Sequence, residues 1–468
     1  MSKKAVRLLS AVLIAAVVLV FGGCGGGKPS INTSSTSPSS GHSSTGFTSY
    51  PSEESSALES SQGTSSEESS TKPGVSSVSP GTTDSSSSSR TSVSSGGTKS
   101  TSQQLPKGIK YEADPRYLYG VGYVEDQMNN RVQVHQAAYI IKSLGARSVR
   151  VWVSGAMLNS TTFVQWQVER LHNLVDSLQS SGIQVIFNFM GFEPYGGGDW
   201  TSVPLRDTTP DSNYMKTLDA FELKCKTIAA EFPEVKFWEI GNEWNHDPFL
   251  HPVGWKEDGT GTPAFTIKEK ADITTDLMAR IVKGVRAGGN DGLIIMPAMA
   301  PVDGMDGISM TGYLEHIYKN IKSGNFGSTN ARDYFGALAW HPYFVGEPDQ
   351  NWVNNNHRLH KIASNYGDGH LKTFLTEYGF PDGGNPRADA QQAEWMVKGY
   401  ELVKTQMPYV ESMHYYRLFT DTSRGADLYG LIHQPEDGFG PKAKGLGFQK
   451  MAGGLGDLSR FFMPLDHE

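Results

Sequence analysis

The sequence predicts one (β/α)₈ barrel, an α/β fold of the TIM-barrel class, over residues 106–468. Strand-type and helix-type patterns alternate through this whole region, which is typical of βα units around a parallel sheet. Eight such units fit into about 360 residues when the loops are enlarged. An open, doubly wound sheet is the alternative, but no Gly-rich phosphate-binding loop follows the first predicted strand.

The eight predicted strands are short runs rich in apolar and β-branched residues. They lie at 119–123, 148–153, 184–189, 235–240, 293–298, 335–340, 373–375 and 412–419. Between them, apolar residues recur with helical spacing, as in 134–144, 163–181 and 388–405. Gly145 and Gly182 are predicted to end the first two of these helices, and the final helix is predicted after Pro441.

The first 23 residues are predicted to form a lipoprotein signal peptide. A basic start precedes the apolar run 8–21, and Gly22 and Gly23 then precede Cys24. This pattern resembles a bacterial lipoprotein signal, in which the Cys is lipidated and becomes the mature N-terminus, although Phe21 departs from the usual Leu or Val. An ordinary secretory signal and an uncleaved anchor are the alternatives. The run is short of the roughly 20 residues that span a bilayer, which favours cleavage.

Residues 24–105 are predicted to be the lipidated Cys followed by a disordered tether. Of the 81 residues in 25–105, 31 are Ser, and Thr, Gly and Pro make up much of the rest. Such a segment buries too little apolar surface to offset the entropy cost of ordering. We therefore expect a barrel held by its lipid at the outer face of a bacterial membrane.

Composition excludes some functions of the barrel itself. The net charge of −8 argues against a nucleic-acid partner, which would require a basic patch. Cys225 lies in a helical pattern and is predicted to be a buried structural thiol. We expect a monomer that needs no cofactor.

Two glutamates stand where predicted strands run into loops. Glu243 lies in the segment FWEIGNEWN at 237–245, and Glu377 lies in FLTEYG at 374–379. Catalytic groups of parallel barrels lie at this end of the strands. Cleavage of a glycosidic bond needs one carboxylic acid to protonate the leaving oxygen and one carboxylate on the opposite face of the sugar. The pair therefore predicts sugar cleavage.

Three motifs in chain order carry a family resemblance. They are Asn242-Glu243, His341-Pro342-Tyr343 and Thr376-Glu377-Tyr378-Gly379. Their order resembles clan A of the retaining glycoside hydrolases, most closely families 39 and 5, over the whole region 106–468. Trp244 departs from the Pro that usually follows Asn-Glu in those families. The resemblance implies that Glu243 is the general acid/base and that Glu377 is the nucleophile.

The resemblance also implies roles for four further residues. Asn242 would donate to the sugar 2-hydroxyl, although it could simply form a turn. Arg150 lies in an apolar strand, where a charge needs a partner inside the barrel, and would keep Glu377 ionised. A purely structural ion pair is the alternative for Arg150. His341 would contact sugar hydroxyls or the acid/base, and Tyr343 would contact the nucleophile.

Aromatic residues supply the remaining candidates for substrate binding. Tyr416, beside Tyr415 and Arg417, stands roughly where many clan members have a Trp that floors the sugar. Loops after the third and fourth strands carry four further aromatic side chains that could stack on pyranose faces or pack beneath their own loops. These are Tyr195, Trp200, Trp244 and Trp255.

The sequence as a whole predicts a retaining β-glycosidase acting on extracellular polysaccharide or oligosaccharide. The sugar, its linkage and endo or exo attack stay open, because they depend on loop shape. A non-catalytic carbohydrate-binding or sensing lipoprotein is one alternative, but it would be expected to lack one glutamate. A metal-dependent hydrolase is another. His246, His251 and His341 are its candidate ligands, and no His-x-His ends the first strand.

Overall fold

The computed structural model describes residues 116–124, 132–154, 158–159, 162–190, 201–304, 307–420, 428–433 and 440–458. Within these residues, eight strands form one sheet whose paired neighbours all run parallel. They are β1 (Tyr119–Val124), β2 (Ser148–Ser154), β3 (Gln184–Met190), β4 (Phe237–Ile240), β5 (Leu293–Ile295), β6 (Leu338–Ala339), β7 (Thr373–Tyr378) and β8 (Val410–Tyr415).

The sheet is nearly closed into a barrel. Its order is β6-β7-β8-β1-β2-β3-β4-β5, so the first and last strands of the sheet are consecutive in the chain. Parallel bridges between Ile295 and Ala337 and between Met299 and Trp340 bring β5 beside β6. The predicted (β/α)₈ fold is confirmed.

In the described part of the chain, a helix follows each strand. The helices are α1 (Val134–Ser143), α2 (Gln165–Gln179), α3 (Asn213–Glu231), α4 (Ile267–Ala287), α5 (Ile308–Ser323), α6 (Gln350–Asn365), α7 (Pro386–Gln406) and α8 (Ala443–Ala452). One 3₁₀ turn spans Ala331–Asp333, and short strands pair Leu158–Asn159 with Thr162–Phe163 and Thr201–Val203 with Leu250–Pro252.

Helix ends follow the local sequence signals. Gly145 and Gly182 have φ of +79° and +74°, which only glycine adopts freely, and they follow α1 and α2 as predicted. At the start of α4, the Thr266 hydroxyl accepts from the Glu269 N–H while the Glu269 carboxylate accepts from the Thr266 N–H. This reciprocal cap satisfies two backbone donors that the helix cannot satisfy itself.

The end of β7 differs from its prediction. The strand was expected to stop at residue 375, before Glu377, but it continues to Tyr378. The register against β8 shifts between Leu375 and Tyr378, so β7 carries an extra residue there. Such a bulge re-aims side chains and breaks the alternation of a regular strand. Thr376 and Glu377 are consecutive, yet both are buried and both bond to polar groups from other barrel strands.

Two further predictions concern burial and the membrane. Cys225 is fully buried in α3, and burial raises the pKa of its thiol, as expected of a structural cysteine.

No helix in the described ranges is both long enough and apolar enough to cross a bilayer. The predicted signal peptide, Cys24 and the tether lie outside the described residues.

Candidate active site

The segment that follows β4 aims Glu243 into the mouth of the barrel. Gly241 has a φ of +98°, and a Cβ there would lie 2.4 Å from the Trp244 ring, so glycine is required. Glu243 itself has a φ of +46°, which is uncommon for a residue with a side chain. Its N–H donates to the Ala298 carbonyl at 2.8 Å, which holds this conformation. Backbone strain of this kind concentrates at functional sites.

The surroundings of Glu243 favour a carboxyl group that holds a proton. Burial raises its pKa to about 7, against the opposing effect of His246 and Arg150 and with a contribution from Glu239. Its Oε1 lies 2.7 Å from Nδ1 of His341. A carboxyl group with a pKa near neutrality can act as both acid and base around pH 7.

Glu377 has the opposite surroundings. Its Oε1 accepts from Nη1 of Arg150 at 2.6 Å, and its Oε2 accepts from the Tyr343 hydroxyl at 2.8 Å. Burial and the nearby Glu377 raise the pKa of Tyr343 well above its ordinary value, so the hydroxyl stays a donor. Both oxygens of Glu377 therefore act as hydrogen-bond acceptors, one of them in a charge-assisted pair with Arg150.

Arg150 connects three side chains inside the barrel. Besides Glu377, its Nε donates to Oε2 of Glu239 at 2.5 Å and its Nη2 donates to Oδ1 of Asn242 at 2.8 Å. Burial opposes the charge on Arg150, but Glu239 and Glu377 raise its pKa above the ordinary value. Since Oδ1 of Asn242 accepts from Arg150, the side-chain amide is fixed with its oxygen toward Arg150.

His341 and Thr376 complete the polar interior. Nε2 of His341 lies 3.1 Å from the Thr376 hydroxyl, which in turn donates to Oε1 of Glu239 at 3.0 Å. Burial lowers the pKa of His341 to about 4, so its imidazole is neutral around pH 7. The sequence-predicted residues Arg150, Asn242, His341 and Tyr343 therefore meet around the two glutamates.

The two glutamates are close enough to act on one bond. One oxygen of Glu243, one of Glu377 and one ring nitrogen of His341 all lie within 4.8 Å of one another. Those atoms could also surround a cation. However, the positive charge of Arg150 already lies against the Glu377 carboxylate, and Glu243 is hydrogen bonded to His341. The cluster suits proton transfer better, and no comparable group in the described residues contains His246 or His251.

Comparison with known families decides the assignment. Residues 118–409 match the family model described as Cellulase (glycosyl hydrolase family 5). This chain belongs to glycosyl hydrolase family 5. The match spans both glutamates and more than half of the chain, so the protein is a glycoside hydrolase of clan A, as the order of the motifs predicted.

Solved structures with similar folds have low sequence identity. A family 39 glycoside hydrolase from Bacteroides cellulosilyticus is 16% identical with a TM-score of 0.46, and the alignment covers 72% of this chain and 64% of that one. The family 1 β-glucosidase from Thermotoga maritima is 14% identical with a TM-score of 0.49, and the alignment covers 75% of this chain and 100% of that one. A family 5 protein from Streptomyces cattleya in complex with Manβ1-4GlcNAc is 17% identical with a TM-score of 0.49, and the alignment covers 72% of this chain and 80% of that one. No curated protein sequence matches the chain.

Trp244 of this family 5 hydrolase does not offer the sugar platform that the sequence suggested. Its side chain is 2% exposed and packs against Phe221, and its indole N–H donates to the Thr201 hydroxyl at 3.1 Å. The left-handed Gly241 turns the ring inward under the loop. Trp255 is half-buried and stacks on His251 at 4.7 Å.

The other aromatic predictions have different outcomes. Trp200 and Tyr195 lie outside the described residues. Tyr416 is buried, and its ring lies 5.5 Å from that of Tyr429, which in turn lies 6.2 Å from Tyr343. Tyr416 therefore belongs to an aromatic wall beside Tyr343, which bonds to Glu377, and contact with sugar stays a prediction for Tyr416.

Three residues of the family 5 site have no role predicted from the sequence. Glu239 and Thr376 link the two halves of the site, and Tyr429 borders Tyr343. A signal existed for Glu239, because a charged residue inside the apolar run 235–240 needs a buried partner as much as Arg150 does. No signal marked Tyr429, which reaches the site from the loop after β8.

Proposed function

We propose that the protein is a retaining β-glycosidase that cleaves β-linked glycan by double displacement, with Glu377 as nucleophile and Glu243 as general acid/base. The observation that carries the proposal is the contrast between the surroundings of two carboxyl groups, one oxygen of each lying within 4.8 Å of one oxygen of the other. Glu377 accepts hydrogen bonds from Arg150 and Tyr343, whereas burial raises the pKa of Glu243 to about 7. Retaining enzymes place their carboxyl groups about 5 to 5.5 Å apart, and inverting enzymes about 6.5 to 9.5 Å.

In the first step, Glu377 attacks C1 while Glu243 gives its proton to the departing oxygen. The Arg150 and Tyr343 donors hold the Glu377 carboxylate in position for attack. The amide of Asn242 donates to the sugar 2-hydroxyl, an interaction that strengthens in the transition state. The products of this step are the released alcohol and a glycosyl ester on Glu377.

In the second step, water replaces the released alcohol. Glu243, now a carboxylate, takes a proton from that water, and the oxygen attacks C1 from the face that the alcohol left. The ester bond to Glu377 breaks and the carboxylate is restored. Two inversions at C1 give net retention of the β configuration.

The stereochemistry of the product tests this proposal directly. We expect hydrolysis of an aryl β-glycoside, followed by ¹H NMR, to show the β-anomer first, with the α-anomer appearing only through mutarotation. A panel of aryl β-glycosides with β-linked glucan, xylan and mannan identifies the substrate. An α-anomer formed first would contradict the double displacement, and glycan binding without turnover would favour a sensing protein.

We also propose that Cys24 carries the lipid that anchors the enzyme outside the cell. The support is the sequence alone, in which an apolar run ends at Gly22-Gly23-Cys24 and a Ser-rich segment follows. One acyl chain binds a membrane marginally, while two or more anchor it stably. The full chain expressed in a bacterium should sediment with membranes, and Cys24→Ala should block lipidation. Mass spectrometry that finds an unmodified N-terminal residue other than Cys24 would refute the anchor.

A further inference from the structure

A line of hydrogen bonds connects a third buried glutamate to the acid/base. Glu239 bonds to Thr376, Thr376 bonds to His341, and His341 bonds to Glu243. We call Glu239, Thr376 and His341 the Glu239 relay. We propose that the Glu239 relay fixes the direction of these hydrogen bonds so that Glu243 carries the proton in the resting enzyme. This inference rests on the proposed role of Glu243 as general acid.

The direction is set at Glu239. Its Oε2 accepts from Nε of Arg150 at 2.5 Å, and both side chains are buried. The guanidinium of Arg150 can only donate, so Oε2 of Glu239 is an acceptor in this charge-assisted pair, and the adjacent positive charge favours the carboxylate form. An ionised carboxylate only accepts hydrogen bonds. The contact with Thr376 therefore requires the threonine O–H to point at Glu239.

Thr376 transmits this direction to His341. A hydroxyl has one hydrogen, and that hydrogen is committed to Glu239. The oxygen of Thr376 must then accept in its 3.1 Å contact with Nε2 of His341. The imidazole therefore carries its proton on Nε2.

His341 transmits the direction to Glu243. A neutral imidazole protonated on Nε2 has a lone pair on Nδ1, which can only accept. Nδ1 lies 2.7 Å from Oε1 of Glu243, and two lone pairs at that distance repel. The contact is favourable only when Glu243 is the protonated acid and donates to His341. Glu243 is thereby held ready to protonate a leaving oxygen.

Other charged and titratable groups face Glu243, and none of them replaces this effect. Burial and Glu239 raise the pKa of Glu243, whereas Arg150 and any protonated fraction of His246 lower it, and burial lowers the pKa of His246 itself. Glu377 and the Tyr343 hydroxyl also lie near it. His414, which faces Arg150 and His341 from β8, has its pKa lowered to about 3 by burial and is neutral. These charges are the same whichever way the hydrogen bonds of the relay point.

Thr376→Val tests the relay without changing any charge, because valine has nearly the shape of threonine and lacks the hydroxyl. Without its acceptor, His341 is free to carry its proton on Nδ1 and to donate to an ionised Glu243. The pKa of Glu243 should then fall. We expect the alkaline limb of the kcat/KM profile, near pH 7 in the native enzyme, to move down by about one to two pH units.

The matched controls separate the relay from packing. Thr376→Ser keeps the hydroxyl and should keep the native alkaline limb. Thr373 lies in the same strand, and its buried hydroxyl has no hydrogen-bond partner among the described residues. Thr373→Val should therefore also leave the alkaline limb at its native pH. A native alkaline limb in Thr376→Val, or equal shifts in Thr376→Val and Thr373→Val, would overturn the relay.

The tautomer of His341 gives a second test that does not depend on how Thr376→Val folds. The native enzyme is labelled with ¹⁵N-histidine, and the NMR signals of His341 are assigned as those that disappear in His341→Gln. We expect these signals to show a proton on Nε2 and none on Nδ1. A proton on Nδ1 at pH 6 would overturn the inference. Either failure leaves the proposed function intact if Glu243→Ala still shows the loss expected of a missing general acid. An unimpaired Glu243→Ala would remove the proposed function instead.

Discussion

Replacing Glu377 by Ala should lower kcat for aryl β-glycosides on the order of 10⁴-fold or more, because the covalent intermediate can no longer form. The lost carboxylate leaves a space beside C1 on the face opposite the leaving group. Azide that enters this space can attack C1 once, without a second displacement. We therefore expect added azide to restore turnover partly and to give the glycosyl azide with inverted, α configuration.

Two controls make the Glu377 result interpretable. Glu347→Ala removes an exposed glutamate of the loop after β6, which forms an ion pair with Lys398, and should retain native activity. Arg150 still contacts Glu239 and Asn242 in Glu377→Ala, so the variant should fold, which circular dichroism can verify. A β-glycosyl azide from Glu377→Ala, or activity near the native level, would show that Glu377 is not the nucleophile.

The order of the strands and the meeting of the motifs could be read from the sequence. Helix stops at Gly145 and Gly182 and apolar runs between amphipathic segments are local signals, and they placed all eight strands within a few residues. Parallel strands in a barrel end at the same face. The proximity of Glu243, His341 and Glu377 followed from that rule, since each was predicted at the end of its own strand.

What the sequence could not supply depends on contacts between distant segments. The bulge in β7 arises from its register against β8, and neither strand encodes that register alone. Without the bulge, Thr376 and Glu377 would point to opposite faces, and the motif that contains Thr376 predicts no role for its side chain. The relay through Thr376 becomes visible only in three dimensions.

Trp244 shows how one backbone angle can reverse an interpretation. An aromatic residue in a loop at the mouth of a barrel is a reasonable sugar platform. Here the positive φ of Gly241 turns the chain so that the Trp244 ring packs back against that glycine and bonds to Thr201. The sequence shows the glycine but not the angle that it adopts.

Replacing Glu243 by Ala should reduce activity in a way that depends on the leaving group. For substrates with poor leaving groups, we expect a loss of about 10²- to 10⁴-fold, the usual contribution of general acid catalysis. Leaving groups of low pKa depart without a proton, so 2,4-dinitrophenyl glycosides should still form the glycosyl enzyme. Water then attacks slowly because its base is missing, and the glycosyl enzyme should accumulate after a burst of released phenol.

Azide distinguishes this variant from Glu377→Ala. It is an anion that needs no general base, and the missing Glu243 side chain leaves it room on the face that the alcohol vacated. Attack on the glycosyl enzyme completes a second inversion, so the glycosyl azide should have the β configuration of the substrate.

The alkaline limb of the kcat/KM profile should also disappear in Glu243→Ala. In the native enzyme activity falls as pH rises through about 7, because Glu243 loses the proton that it must donate, and alanine has none to lose. Azide products of the same configuration from both variants would contradict the assignment of two different roles to the two glutamates.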